Sequence, residues 1–442
     1  MNAKHQALWA LVLAAALAGC QTTATRSTDP ATQPPPDPSA QEARDALLER
    51  PRHSDGATAL EPPSPNARLK RDRLAEADFE RATAGADALA RAAPFAPRAL
   101  RPKEMAVHAI DVGQGDAFLL EFACGAALVD TGLQRGQASR DRLVAYVDRF
   151  FDQRRPDLHR TLQLAVISHS HADHADGVPF LFGGDRPDPL AVRNYLDSGY
   201  DSGGGAPDQV FLRDHAQRYE AIRMEDILWL EGATSAVIDP LPACADGVNP
   251  QLRVLWGGLP GDAPSQFSNP NHHSVVLRVD YGEASFLFTG DLQSRQGALD
   301  GGGLGWMLDD YERDPGVFDV DALKVSHHGA ENGTNDRLLA ATTPCLAFMG
   351  VGSPDDRGSG TAHDHGHPNR NTLDRLIGAV SGTRPRRDVW AFDGADTEPR
   401  KRQLTKALFG TAWDGHYVIY ASAAGHWRVL TERGESVPVQ CR

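Results

Sequence analysis

Three histidines and an aspartate fall within six consecutive positions, His169-x-His171-x-Asp173-His174, at the end of the apolar run Leu162 to Ser168. Neutral imidazoles and carboxylates are the ligand types of zinc-like divalent cations, and such a cluster does not stay buried without partners. Alternate spacing aims His169 and His171 to one side and turns Asp173 and His174 toward another, so two neighbouring cations are the natural reading. A water held between two such ions loses its proton near neutral pH and attacks a phosphorus or carbonyl centre. A solvated His-rich loop is the plainer alternative, and the strand running into the cluster weighs against it.

Positioning these groups requires strands that end where the chemistry begins. Apolar runs bounded by Gly, Asn and Asp lie at Met105 to Val112, Ala117 to Phe122, Ala126 to Asp130, Leu162 to Ser168, Ser274 to Asp280, Ala284 to Thr289, Ala322 to Ser326 and Cys345 to Val351. They read as strands. Periodicity predicts helices over Ser139 to Phe151, Gln209 to Arg223 and Thr372 to Val380, the last capped by Asn371 with Asp374 three positions on. The alternation of strands and helices is an α/β pattern, mixed sheets covered by outer helices. His416 to Ala421 and His426 to Thr431 read as a hairpin with Trp427 packed inside. Gly113-x-Gly115 lacks the third glycine and following helix of a phosphate loop, so a tight turn is expected, which Asp111 and Asp116 either cap or extend toward the site. His363, His365 and His367 alternate in a Gly-rich loop, where adventitious metal binding is as good an account as function.

The HxHxDH segment resembles the signature of the metallo-beta-lactamase fold hydrolases. Further segments match in order: Leu128-Val129-Asp130-Thr131-Gly132, Leu287-Phe288-Thr289-Gly290-Asp291 and Leu323-Lys324-Val325-Ser326-His327-His328-Gly329. Asp111-Val112-Gly113-Gln114-Gly115-Asp116-Ala117, Asn271-His272-His273-Ser274 and His367-Pro368-Asn369 resemble the metallo-hydrolase domain of the ComEC family of competence DNA-uptake proteins. The resemblance implies an αββα sandwich of two mixed sheets with outer helices, holding one or two divalent ions, zinc first and manganese second. It implies His169 and His171 on one metal, Asp173, His174 and His327 on the other, and Asp291 bridging, with Asp173 and Asp291 serving catalysis. His327 is preferred because related members keep a His two places before the Gly; His328 then stands behind the ligands or acts as an acid. Asp130 is expected to orient the ligand loop by hydrogen bonds or to close a strand-end turn. Asp116 and His367 are placed beside the ligands. The family's third ligand for the first metal is a His before the bridging Asp; His215, His272 and His273 are the candidates, and His272 is the choice. An empty position there would make a one-metal enzyme.

Residues 1–19 read as an export signal, with Lys4, an apolar run from Ala7 to Ala18 and the sequence Leu17-Ala18-Gly19-Cys20. They resemble a bacterial lipoprotein signal, which implies cleavage before Cys20 and lipid on its sulfur. Gln21 in place of Asp then implies the outer membrane, facing the periplasm. Acylation by more than one chain gives stable anchoring. An ordinary secretion signal with a chance cysteine is the alternative. Residues 21–103 hold 12 of the 30 prolines and no Val, Ile, Met, Tyr or Trp, so 20–103 reads as a largely disordered tether and 104–442 as the folded domain. Export would put Cys124, Cys244, Cys345 and Cys441 in an oxidising space, with up to two disulfides and three pairings open.

The chain carries 45 Lys and Arg against 59 Asp and Glu, a formal charge of −14, and residues 104–442 carry −16. That argues against wrapping nucleic acid by bulk charge. The expectation is an exported, lipid-anchored, metal-dependent hydrolase of the cell envelope, phosphodiesterase or nuclease-like. Its substrate would be a small-molecule or nucleic-acid phosphodiester, with membrane contact through Cys20 and no protein partner predicted. A small ester, lactone or phosphocholine-like envelope substrate is the alternative. A noncatalytic metal-stabilised module is a third reading, although a purely structural site needs no open coordination position.

Overall fold

The computed structural model describes residues 97–442 except 135, 185, 228–231, 262, 264, 296–300 and 442. The export signal, Cys20 and most of the expected tether lie outside the described residues. Following the chain, six strands come first: β1 (Glu104–Ala109), β2 (Phe118–Phe122), β3 (Gly125–Val129), β4 (Thr161–Val166), β5 (Ala191–Asp197) and β6 (Arg218–Ala221). Then come β7 (Gln251–Trp256), β8 (Val276–Tyr281), β9 (Ala284–Phe288), β10 (Ala322–Lys324) and β11 (Leu346–Met349). A separate hairpin, β12 (Thr383–Ala391) and β13 (Arg400–Lys406), precedes β14 (Leu408–Gly410), β15 (Tyr417–Ser422), β16 (Trp427–Thr431) and β17 (Ser436–Val439).

The first sheet has the order β17-β16-β15-β1-β2-β3-β4-β5-β6 and the second β14-β11-β10-β9-β8-β7. Both are mixed: β3 to β6 run parallel while β1 pairs antiparallel with β2 and β15. In the second sheet β9, β10, β11 and β14 run parallel, and β7 to β9 antiparallel. Alternation along β2 shows how the layers close. Phe118, Leu120 and Phe122 enter the core between the sheets, and Leu119 points to the other face. The Phe118 ring lies 5.9 Å from Phe288 and 5.4 Å from Phe348, contacts from one sheet to the other. On the outer side Leu119 joins Leu143 and Val147 of α1 (Gln137–Arg149). The second sheet is covered by α3 (Gly302–Asp310) and α4 (Arg370–Ala379), which follow α2 (Ala206–His215) in the chain and bury Leu304, Met307, Leu373 and Leu376. Each such side chain contributes roughly 1.5–3 kcal/mol on burial. The result is the αββα sandwich.

All eight apolar runs form strands, and the C-terminal hairpin is β15–β16 with Trp427 only 2% exposed. Three boundaries differ from expectation. The predicted helix over Gln209 to Arg223 stops at His215, because Arg218–Ala221 pairs with β5 at the sheet edge, and pairing overrides local propensity. Asn369, not Asn371, caps α4: its side chain accepts from the Asn371 N–H, starting the helix two residues early. Packing begins by residue 98 rather than at 104, since Arg98 forks onto Glu104 at 2.6 Å and lies over the Tyr420 ring. Of the three cysteine pairings the structure has Cys124–Cys244 and Cys345–Cys441, with Cα atoms 4.5 and 5.2 Å apart.

Candidate metal centre

The segments of the centre leave the sheets at one end of the sandwich. Asp130 follows β3 directly and takes a left-handed φ of 61°. Its Oδ1 accepts from the Ser168 N–H at 2.6 Å; its Oδ2 accepts from the Ser168 hydroxyl at 2.9 Å and from His174 Nδ1 at 2.9 Å. Asp130 thereby pins the start of the ligand loop after β4 and turns the Nε2 lone pair of His174 toward the centre. Gly132 is required by space: a Cβ there would stand 1.5 Å from the Asp173 carbonyl oxygen. The Thr131 N–H donates to the His174 carbonyl at 2.8 Å, and the Asp116 N–H to that of Asp173 at 3.0 Å.

Asp291 leaves β9 through Gly290 and is buried. Its Oδ2 lies 3.1 Å from His174 Nε2, 3.4 Å from His328 Nε2 and 3.8 Å from His327 Nε2. After β10 the chain makes a left-handed turn at His327, His328 and Gly329, with φ of 52°, 49° and 83°. That turn decides which adjacent histidine enters. His328 is fully buried and donates through Nδ1 to the Gly350 carbonyl at 2.8 Å, so Nε2 faces Asp173 Oδ2 at 3.2 Å. His327 stands further out, with Asn271 Nδ2 3.4 Å from its Nε2. His328 thus presents Nε2 to Asp173 and Asp291 from a fully buried place, while His327, the ligand expected from the sequence, lies beside it with Nε2 3.8 Å from Asp291 Oδ2. His169 and His171 form the other side, with His169 Nε2 3.1 Å from His171 Nδ1 and the His169 ring 4.2 Å from that of His174.

His272 does not belong to this group. Its Nδ1 accepts from the Gly303 N–H at 3.1 Å, and its ring meets the edge of Phe267. His273 is spent on Leu259 and Phe267, and His215 sits exposed on α2. The residue that comes closest to the missing third ligand is Asn271, whose buried Oδ1 has no hydrogen-bond partner among the described residues. Its amide nitrogen donates to Gln293 Oε1 at 3.0 Å. Sequence reading also assigned no role to Lys324, a fully buried cation that pairs with Asp116 and donates to the Gly290 carbonyl at 2.7 Å. A lysine three residues before paired histidines in an apolar strand was the available signal. Asp111 caps its turn, accepting from the Gly113 N–H at 3.1 Å. His367 packs 5.1 Å from the His327 ring, with its Nδ1 3.2 Å from Nε2 of Gln114, a residue of the ComEC-like turn to which the sequence assigns no role of its own.

Burial holds His169 well below the usual imidazole range and lowers His171. Burial penalises charge on His174 too, but Asp291 and Asp130 outweigh it and lift that ring to about 10. Burial likewise opposes charge on His328, yet Asp291 and Asp116 raise it well above its ordinary value. Against the same burial, His174 and His328 keep Asp291 and Asp173 far below the ordinary carboxylate range.

Asp116, His174, Asp291 and His328 offer ligand atoms within 4.8 Å of one another. Asp116 nevertheless stands behind the ligands: its oxygens approach Nδ1 of His328 at 3.5 Å and of His174 at 3.9 Å, and those Nδ1 atoms are already committed. The forward atoms fit a cation. His174 Nε2 and His328 Nε2 are buried without a hydrogen bond among the described residues and both face Asp291 Oδ2, and protons on two imidazoles balance the carboxylates where a divalent ion would replace them.

A sequence model of the metallo-beta-lactamase superfamily matches residues 110–344. The chain is 33% identical over 82 residues to Recombination protein 2 of Haemophilus influenzae, covering 19% of this chain and only 9% of that protein. Among solved structures it is similar to the metallo-beta-lactamase fold protein YhfI of Bacillus subtilis, at 15% identity and a TM-score of 0.33 over 63% of this chain and 94% of that one. Human tRNase Z, short form, matches at 12% identity and a TM-score of 0.30 over 56% and 91%. With its sandwich fold, its HxHxDH loop and its ComEC-like segments, the chain belongs to the metallo-beta-lactamase superfamily.

Proposed function

We propose that this superfamily hydrolase is exported, lipid-anchored and cleaves phosphodiesters, with nuclease-like activity. The observation that carries the reading is Asp291, buried at a strand end with Oδ2 3.1 Å from His174 Nε2 and 3.4 Å from His328 Nε2, a carboxylate and two imidazoles from separate loops whose free atoms converge as ligands of a divalent ion would. Divalent ions, zinc first and manganese second, would supply water of lowered pKa and a polarised electrophile. His174 and His328 would hold one ion through Nε2, each oriented by its Nδ1 hydrogen bond to Asp130 or Gly350. Asp173 lies on the same side, and His169 and His171 would hold the other ion, with Asn271 in the third place. The ComEC-like segments and the match to a protein named for recombination favour phosphodiesters.

Two disulfides are at home in an oxidising compartment, which supports export. Cys20 would carry the lipid, and the Pro-rich residues that follow it would hold the domain off the outer membrane in the periplasm. No helix of the described residues is long and apolar enough to cross a membrane. A Cys20→Ser change should release the protein from the membrane fraction; membrane retention of that variant ends the anchoring claim.

The charge of −16 over residues 104–442 favours a second reading, a small ester, lactone or phosphocholine-like substrate. One panel of bis-p-nitrophenyl phosphate, single-stranded DNA, duplex DNA and lactones, run alongside metal analysis, separates the two. Cleavage of lactones with every phosphodiester untouched selects the second. Bound metal with no activity on any ester selects a noncatalytic module.

A further inference from the structure

His367 stands at the rim of the centre, its ring 5.1 Å from His327 and 6.1 Å from His328, with 7% of its surface exposed. The backbone locks it there: its N–H donates to the Ala362 carbonyl at 2.9 Å, and Asn369 N–H donates to the carbonyl of Gly329, the residue after His328, at 2.8 Å. Beneath the ring lies Gln114, 253 positions away in sequence and buried in the turn between β1 and β2. The two ends of this amide have different obligations. The Gly352 N–H requires an acceptor and takes Gln114 Oε1 at 3.1 Å, so the atom facing His367 Nδ1 at 3.2 Å is Nε2, a donor. Nδ1 therefore accepts, and the single proton of the ring sits on Nε2. Among the described residues nothing accepts from that N–H.

We propose that His367 is a catalytic residue whose Nε2–H donates a hydrogen bond to a non-bridging phosphoryl oxygen of the substrate. Gln114 is the positioning residue that keeps the ring in this donating tautomer. The inference rests on the phosphodiester reading and deepens it. Charge spreads over the non-bridging oxygens as a phosphoryl group is transferred, and a fixed neutral donor meets it with no reorganisation. No proton leaves His367, so the bonds made and broken at phosphorus are unchanged by it. A carbonyl substrate would present one such oxygen, and a phosphodiester presents two.

The test compares His367→Ala, His367→Gln and Gln114→Met in the otherwise intact protein. The readouts are kcat and KM on bis-p-nitrophenyl phosphate, bound metal per chain, and the affinity for inorganic phosphate by calorimetry. His367→Ala should lower kcat about 100-fold, the scale for losing one such donor, and weaken phosphate binding while bound metal stays at the wild-type level. His367→Gln presents a neutral N–H at similar reach and should restore most of the rate. Gln114→Met should cost less than His367→Ala, mainly in kcat, again with metal retained. The proposal is overturned by a kcat within about twofold of wild type in His367→Ala, by loss of metal in that variant, or by His367→Gln performing no better than His367→Ala. If the wild-type protein itself leaves the diester intact, the phosphodiester reading falls. Phosphate affinity then judges His367 alone, and an unchanged value in His367→Ala overturns it.

Discussion

Two clusters of buried charge in this molecule are balanced in opposite ways. On the helix-covered side of the first sheet, Glu121 accepts from Arg154 at 2.6 and 2.8 Å and lies 3.2 Å from His108 Nε2. Its counter-ion belongs to the chain. Arg154 also donates to the Pro97 carbonyl, and a cavity of about 300 Å³ lined by Tyr146, Phe150 and Gln153 adjoins the cluster. The metal centre gathers three buried carboxylates, Asp116, Asp130 and Asp291, and the half-buried Asp173 around one built-in cation, Lys324. Lys324 is spent on Asp116 and lies 3.6 Å from Asp291 Oδ1. The first cluster is complete as folded. The second is completed by protons or by added cations, and that difference is what makes it a site rather than a structural ion pair.

The largest expected effect breaks the second cluster at its shared atom. Asp291→Ala should cut turnover of bis-p-nitrophenyl phosphate by about 1,000-fold or more and lower bound metal, while circular dichroism stays native. Wild-type turnover with full metal content would remove Asp291 from the bridging role. His328→Ala should follow, weakening one metal by at least about 100-fold, whereas His327→Ala keeps that metal tight. The opposite ranking in a metal titration would restore His327 as the ligand. Smaller still is the effect of a chelator. An ion present at 100 times its dissociation constant adds about 2.7 kcal/mol of stability, so stripping it should lower the unfolding temperature of the wild type. The Glu121 cluster gives a chelator nothing to remove. Equal unfolding temperatures with and without chelator would mean that the centre holds no ion.

Much of this contrast could be read from the chain, and the unread parts share a cause. The HxHxDH loop and Asp291 were legible because apolar strands run into them and the spacing itself carries ligand chemistry. The choice between His327 and His328 was not, because it depends on three consecutive left-handed backbone positions that no side chain announces. Asn271 was passed over for His272 by residue type, although the short turn Pro270–His273 spends His272 on Gly303 and leaves the amide inward. Gln114 acts across 253 positions, and only the assembled sheets bring it beneath His367. Glu121 could have been noticed. A carboxylate in the middle of Phe-Leu-Leu-Glu-Phe, in a strand buried on both faces, demands a partner. The eight strands were visible because each is a short apolar run, whereas β6, with Arg218 and Tyr219 exposed, exists only by pairing with β5.

The remaining prediction concerns pH and separates the clusters cleanly. Burial alone would raise Glu121, but the His108 hydrogen bond and the Arg154 charge hold it down at about 2, against 4.5 ordinarily. A carboxylate depressed on folding contributes stability that is fully present above its unfolded value and is lost as pH falls through its folded value. The contribution is therefore constant above about pH 5, declines below about pH 4.5, and is gone near pH 2; its full size is about 3 kcal/mol. Urea unfolding of chelator-treated wild type and Glu121→Gln, from pH 7 to pH 2, reads it without metal release intervening. The stability gap between the two proteins should be flat near neutrality and close as the acid limit is approached. A gap of the same size at pH 6 and pH 2.5 would show that Glu121 acts through packing rather than charge, and the first cluster would then no longer stand as the self-balanced counterpart of the metal centre.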